Sequence, residues 1–301
     1  MIEDLTGVIG RDNEIKDAIH HLHRHRNVCF VGAPGGGKTA VLKALFENWH
    51  ALHPKSSSLY VWSCKPTKWL FSEVAFKLYR RDVLPAEFNT LPVEAFQKRL
   101  NRMHYRDISR LISAATTAHP EIIFFLDNLD SATPASQSLI YTLLEQGVTI
   151  CAATTSKRGL TRLLWQFQLI DLQPLKDAHI RRFVDSWIEN RHILVDDRKL
   201  FLEHVTYKSA GNPLACEQLL RYFEHEPRIK TPDIRKLYHE AGRKELDLTP
   251  IIFIFFGVSL ALRFISRSIS HKELYILTSL FTASFVVIRF FAFRGMLKER
   301  S

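Results

Sequence analysis

The chain lacks most marks of a secreted, metal-stapled or repetitive protein. Its four cysteines, Cys29, Cys64, Cys151 and Cys216, form no Cys-x-x-Cys pair, which removes zinc-ribbon and thioredoxin-type patterns. Three of them fall in or beside apolar runs that read as buried strands, where a thiol serves as a small hydrophobe in a reducing compartment. No internal repeat and no low-complexity tract is present. The opening residues, MIEDLTGVIG, are acidic and without an apolar h-region, so no cleaved signal peptide is expected. No uncharged run reaches the roughly 20 residues that cross a bilayer core; residues 248–262 and 274–288 have 15 each.

What the chain has in excess is positive charge. Its 301 residues carry a net charge of +10. That length is enough for one core domain and one or two smaller units. Residues 228–301 hold 13 Lys and Arg against 6 Asp and Glu, so most of the excess sits in the last quarter, which is also the apolar one. A basic balance alone is compatible with nucleic acid, anionic lipid or neither.

Residues 32–39 read Gly-Ala-Pro-Gly-Gly-Gly-Lys-Thr, a complete G-x-x-x-x-G-K-[ST] loop. The run 27–31 before it is apolar and β-branched, and 40–50 after it has helical periodicity. Strand, glycine loop and helix are the setting this motif needs to bind phosphate. Gly32, Ala33, Pro34, Gly35, Gly36, Gly37 and Ala40 then belong to a backbone cradle whose N–H groups form an anion nest at a helix N-terminus. Lys38 is expected on the β- and γ-phosphates, and Thr39 on Mg²⁺.

Further strands are expected over 59–63, 121–127, 148–154 and 169–172, with helices over 10–22, 68–81, 93–117 and 134–146. Strands alternating with helices imply a parallel sheet covered on both faces. From 176 the pattern turns wholly helical, with three helices that make a small lid, followed by a basic linker bracketed by Pro227 and Pro232 and a charged helix over about 232–246. The expected fold is α/β: a five-stranded parallel P-loop NTPase sheet with helices on both faces, a small all-helical lid, and a C-terminal transmembrane helical hairpin. The expected boundaries are 1–174 for the core, 175–226 for the lid, 227–247 for a basic linker, 248–293 for two spans (248–267 and 272–293) and 294–301 for a basic tail.

The third strand ends Phe-Leu-Asp127-Asn128-Leu-Asp130. A carboxylate at the tip of an apolar strand is the Walker B pattern, so Asp127 joins Thr39 as a metal residue. Asn128 can orient a water but cannot accept its proton, and Asp130 is the nearest alternative acid. The fourth strand runs into Thr154, Thr155 and Ser156, hydroxyls suited to sensing a γ-phosphate or serving as plain strand-end polar groups. Lys157, Arg158 and Arg162 follow, read either as an arginine finger on a neighbouring subunit or as a solvated basic loop. His20, His21, His23 and His25 crowd one helix end; cations at a helix C-terminus explain them better than a metal site does.

Taken together, Gly10-Arg11-Asp12 with Glu14-Ile15, the 32–39 loop, the 123–127 strand, the hydroxyls at 154–156 and Gly211-Asn212-Pro213 resemble the AAA+/STAND branch of P-loop ATPases, among them archaeal-type, origin-recognition-like and NB-ARC modules. The resemblance covers residues 6–225. It implies that Ile9 and Arg11 lie near the base and Pro213 near the nucleotide, and that the nucleotide is ATP, there being no guanine-reading Asn-Lys-x-Asp. It also implies a homo-oligomer. Asn128 departs from the usual acid after the Walker B aspartate, so turnover is expected to be slow. The family's usual winged helix and repeat sensor arrays are not found.

In their place stand the two apolar stretches, closed by Arg263 and Arg289, which can snorkel. The basic flanks predict a two-pass membrane protein with both termini cytoplasmic. The sequence thus supports a membrane-anchored nucleotide switch acting on its own assembly or on an unknown protein partner, as in a defence or stress effector. A DNA-associated ATPase adaptor and a non-enzymatic ATP-binding scaffold are the alternatives.

Overall fold

The computed structural model describes residues 8–53, 57–237 and 258. In chain order the first part holds α1 (Asp12–Leu22), β1 (Val28–Gly32), α2 (Lys38–Leu52), β2 (Ser58–Val61), α3 (Thr67–Tyr79), α4 (Ala86–Asn89), α5 (Val93–Arg102), α6 (Tyr105–Ala118), β3 (Ile123–Leu126), α7 (Pro134–Glu145), β4 (Thr149–Thr154), α8 (Thr161–Leu164) and β5 (Gln168–Leu172). The second part holds α9 (Asp177–Arg191), β6 (Leu194–Val195), α10 (Arg198–Ser209), α11 (Pro213–Arg221), β7 (Arg228–Ile229) and α12 (Thr231–Lys236).

The five strands β1 to β5 form one sheet in the order β2-β3-β4-β1-β5, and every pairing is parallel. Because strand side chains alternate, β1 to β4 each feed two cores, while the edge strand β5 feeds one. Cys29, Val31, Phe124, Leu126, Ile150 and Ala152 point to one face and pack with α3, α5, α6 and α7. Val28, Phe30, Ile123, Phe125, Cys151 and Ala153 point to the other and pack with α1 and α2. Cys29, Cys64, Cys151 and Cys216 are all buried and free; burial pushes the thiols of Cys29 and Cys64 up to about 12, which keeps them inert packing groups.

Three expectations need correction. The helix expected over 93–117 is two, because Met103 and His104 are extended (ψ 145° and 146°) and His104 caps α6 by accepting the Arg106 N–H. The second part is not all-helical: β6 and β7 pair in parallel, Leu194 with Arg228 and Val195 with Ile229. Strands of two residues carry no readable period. The charged helix stops at Lys236, where Leu237 leaves helical geometry at ψ 127°. Ile229, Ile234 and Leu237, from the segment expected to be a linker, are buried with Ile180, Val184, Phe201, Leu219 and Phe223 in the lid's own core.

Among the described residues no helix is long and apolar enough to cross a membrane. The expected hairpin over 248–293 lies, apart from position 258, outside the described residues.

Phe125 is 0% exposed in a strand flanked on both sides, whereas Trp165 is 78% exposed. Phe125→Ala is expected to lower the unfolding free energy by about 3–5 kcal/mol and Trp165→Ala by no more than about 0.5 kcal/mol, as read by denaturant titration.

Candidate nucleotide site

In an open parallel sheet the crevice for ligands lies beyond the carboxyl ends of the strands. Here β1 delivers the glycine loop, β3 delivers Asp127 and, between them, β4 delivers Thr154. Gly37 is the N-cap of α2 at φ 89°, a left-handed conformation, and no side chain caps that helix. A larger residue would be strained there. The first-turn N–H groups of α2 thus have no side-chain acceptor and open onto the loop.

Each carbonyl of the loop has a donor. Lys38 Nζ donates to Gly32 O (3.0 Å) and Ala33 O (2.9 Å). Asn212 Nδ2 donates to Pro34 O (3.0 Å), and the Leu214 N–H to Gly35 O (3.2 Å). Arg11 Nη2 donates to Gly36 O (3.1 Å), and the Val41 N–H to Gly37 O (3.0 Å). The Gly36 N–H turns back to Ala33 O (3.1 Å), and because a trans peptide points its N–H opposite to its C=O, holding the carbonyls of Pro34, Gly35 and Gly36 also restricts the amides that follow them.

Arg11 is 3% exposed; one guanidinium nitrogen holds Gly36 O and another pairs with Glu14 at 3.0 Å, so its side chain braces the loop. Ile9 is half-buried beside it. Thr39 and Ala40 are exposed at the start of α2. Pro213 opens α11 at the first helical position behind the Asn212 cap, within van der Waals reach of a Cβ built on Gly37 (3.7 Å).

Asp127 is 2% exposed. Its Oδ1 accepts the Asn128 N–H (2.8 Å), and its Oδ2 lies 3.5 Å from the donating Tyr60 hydroxyl. Burial, together with the charge of Asp127, pushes the Tyr60 phenol well above its usual range. Burial holds the Lys38 ammonium below the ordinary lysine value, and the carboxylates of Asp130 and then Asp127 oppose that shift. Both acids thus act electrostatically on Lys38 across the crevice.

The residues around this pair are committed in ways the sequence does not disclose. Asn128 is left-handed (φ 53°) and its Nδ2 donates to Trp62 O (3.1 Å). Asp130 Oδ1 accepts from the Thr155 N–H (3.0 Å) and from the Thr154 hydroxyl (3.3 Å), whose proton is also directed at Ser156 O (2.8 Å). Asp130 therefore ties the end of β3 to the end of β4. Arg158 is exposed, and its N–H donates to Ser156 Oγ; Lys157 pairs with Asp171 at 3.5 Å. The histidines do not meet as ligands: His23 stacks with Trp49 and His53, and no metal-ligating cluster occurs among the described residues.

Two contributors escape sequence reading. Asn212 holds the α11 N-terminus through Oδ1, which accepts from Leu214 and Ala215 (3.0 and 3.3 Å), while its Nδ2 reaches the loop. Asn before Pro is an N-cap signature, but nothing local says what its amide touches. His179 of α9 packs so closely on Gly10 that a Cβ there would lie 2.2 Å from Nδ1.

A glycine loop whose carbonyls are all hydrogen-bonded, an uncapped helix start, one ammonium and a buried strand-end carboxylate define a P-loop nucleotide-binding domain, and this donor set fits a polyphosphate with a divalent cation. Residues 7–151 match the AAA ATPase domain family. No curated protein matches the chain. The Orc1 protein of Aeropyrum pernix, solved in complex with DNA, aligns with a TM-score of 0.57 at 15% identity, covering 93% of this chain and 79% of that one. A RuvB variant of Thermotoga maritima aligns at 0.48 and 17%, covering 90% and 88%. AMPPCP-bound DnaA of Aquifex aeolicus aligns at 0.46 and 13%, covering 75% and 64%. At these identities the likeness to Orc1 is a likeness of fold.

Because Asn212 caps α11 and also ties it to the loop, Asn212→Ala is expected to lower stability by about 1 kcal/mol through the lost cap alone. It should also speed amide exchange in α11 and in residues 34–36 together, leaving β1 and β4 protected. Unchanged exchange at 34–36 would show that the lid does not hold the loop.

Proposed function

We propose that the protein binds ATP with Mg²⁺ and hydrolyses it slowly, using the nucleotide as a switch. The carrying observation is that Lys38, the uncapped α2 N-terminus and buried Asp127 lie at the same end of one sheet, beyond β1 and β3 with only β4 between them. In this reading the 32–40 backbone and Lys38 hold the β- and γ-phosphates, and Thr39 and Asp127 hold the cation. Bound Mg²⁺ would supply charge neutralisation on the phosphate oxygens. Ile9, Gly10 and Pro213 border the rest of the nucleotide.

Slow turnover follows from the groups facing the attacking water. The Asn128 side chain has no proton-accepting power and its nitrogen is engaged by Trp62 O, while one oxygen of Asp130 is engaged by β4. Asp130 keeps its second oxygen as the available base, with Thr155 beside it. Arg158, exposed and without an ion pair among the described residues, suits a role on the nucleotide of a second copy, which makes the acting species a homo-oligomer.

The switch is further proposed to work at a membrane. Support comes from residues 248–293, whose two 15-residue uncharged runs are flanked by basic residues, and from no structural feature. Both termini would then face the cytoplasm, with assembly or a protein partner as the switched event, in the manner of a defence or stress effector. Association with DNA is the second reading, favoured by the likeness of fold to a protein solved on DNA.

Lys38→Ala is expected to abolish binding of a fluorescent ATP analogue, and Asn128→Glu to raise steady-state hydrolysis by about tenfold or more, the scale of an added general base. Retained binding in the first variant would remove the ATP reading; an unchanged rate in the second would place water activation elsewhere. Full-length protein should stay with membranes through a carbonate wash, and a chain ending at Asp247 should be released. Release of the intact chain would remove the spanning hairpin.

A further inference from the structure

The loop after β2 carries an aromatic and basic surface that the nucleotide site does not use. Residues 62–69 read Trp-Ser-Cys-Lys-Pro-Thr-Lys-Trp, with two lysines and no acid. Trp62 is 58% exposed and leans on the half-buried ring of Trp69, with centroids 4.7 Å apart. Lys65 and Lys68 are exposed on either side of Pro66. Lys68 Nζ donates to Asn101 O (2.8 Å), which joins this surface to the end of α5. There Lys98 and Arg102 line a shallow depression with Arg99 and Met103.

The segment is held rigidly, and what holds it is the strand end bearing Asp127. Tyr60 donates to Asp127 Oδ2 (3.5 Å), Cys64 Sγ to Asp127 O (3.5 Å), and Asn128 Nδ2 to Trp62 O (3.1 Å). Ser136 Oγ donates to Cys64 O (3.0 Å), and Ser63 Oγ to Lys65 O (2.9 Å). An exposed indole on a fixed backbone loses little conformational entropy on binding a flat partner.

We propose that Trp62, backed by Trp69 and flanked by Lys65 and Lys68, is a docking surface for single-stranded nucleic acid, and that Asn128 links its occupancy to the nucleotide site. An indole face stacks on an unpaired base of any sequence, and nearby ammonium groups meet the phosphates. Paired bases keep their faces stacked on each other, so a duplex would leave Trp62 without its contact. A lipid surface fits less well, because the aliphatic neighbours Val61 and Leu70 are buried and no exposed aliphatic side chain lies in 62–69 to enter acyl chains. The docking part is independent of the ATP reading; the link rests on it.

The test uses full-length protein and a fluorescein-labelled 20-nucleotide thymidine strand, with anisotropy read at about 50 and 200 mM salt and fluorescent-ATP binding measured on the same samples. Trp62→Ala is expected to weaken oligonucleotide binding by about 5- to 100-fold, the loss of one stacked base, and to leave ATP binding unchanged. Trp62→Phe, which keeps a π-face, should recover most of it, and Lys65→Ala should flatten the salt dependence. Absence of binding by the wild type at low salt, or equal binding by Trp62→Ala, overturns the docking surface. Binding of Trp62 to anionic phosphatidylglycerol vesicles in place of the oligonucleotide overturns it in favour of a membrane contact. For the link, ATP is expected to change oligonucleotide affinity by at least about threefold, a change that Asn128→Ala removes; an equal affinity with and without ATP overturns it. Failure of ATP binding itself would show separately in the fluorescent-ATP signal.

Discussion

The candidate site depends on the hydrogen bonds that hold the carbonyls of residues 32–37. A glycine-rich loop is by itself the most flexible element a chain can make. Ordering it costs about 1–2 kcal/mol per residue in backbone entropy. Here that cost is offset from three directions: Lys38 from within, Arg11 from the segment before the core, and Asn212 with Leu214 from the lid. With its acceptors satisfied in this way and the Gly36 N–H turned back to Ala33 O, the loop is held in one shape, and planar peptides carry that restriction to the amides that follow the held carbonyls.

Two motifs of the sequence take on further roles in the structure. Gly10-Arg11-Asp12 reads as part of a base pocket, yet the Arg11 side chain is spent between Glu14 and Gly36 O. Gly211-Asn212-Pro213 reads as a helix break that brings a proline to the nucleotide, yet Asn212 makes the contact that crosses from lid to loop. Gly35 has no room for a side chain because Asn212 Oδ1 would lie 2.7 Å and Leu214 Cβ 2.8 Å from its Cβ. Loop glycine and lid asparagine are thus one packing constraint written at two places in the chain, and any lid movement must break bonds to the loop.

What could be read in the sequence was whatever a local period or a short motif encodes. The apolar runs of β1, β3 and β4 and the strand-loop-helix order place the loop and Asp127 at the carboxyl ends of strands in one parallel sheet. The Met103–His104 break was hidden because α5 and α6 keep helical periodicity on both sides of it. The β6–β7 pair was hidden because two residues form no pattern. The partners of Arg11, Asn128, Asp130 and Asn212 were hidden for a deeper reason: each is a polar side chain whose hydrogen-bond partner lies on another element, between 24 and 178 positions away. Residue type announces the capacity for such a bond and tertiary packing selects the partner.

The same logic governs the strand-end acids. Asp127 is buried beside a phenol and a thiol that both donate to its residue, so a change in its charge environment bears first on β2 and the loop after it. Asp130 is tied to β4 through a backbone N–H and a hydroxyl, so it reports to the segment that ends at Arg158. The two carboxylates, three residues apart, therefore face the same ammonium but lean on opposite neighbours in the sheet. The site is thus hydrogen-bonded to two neighbours, to β2 and Trp62 O on one side and to the end of β4 on the other. Asn128, whose side chain bonds to the first of these, has the residue chemistry of a connector more than that of a base.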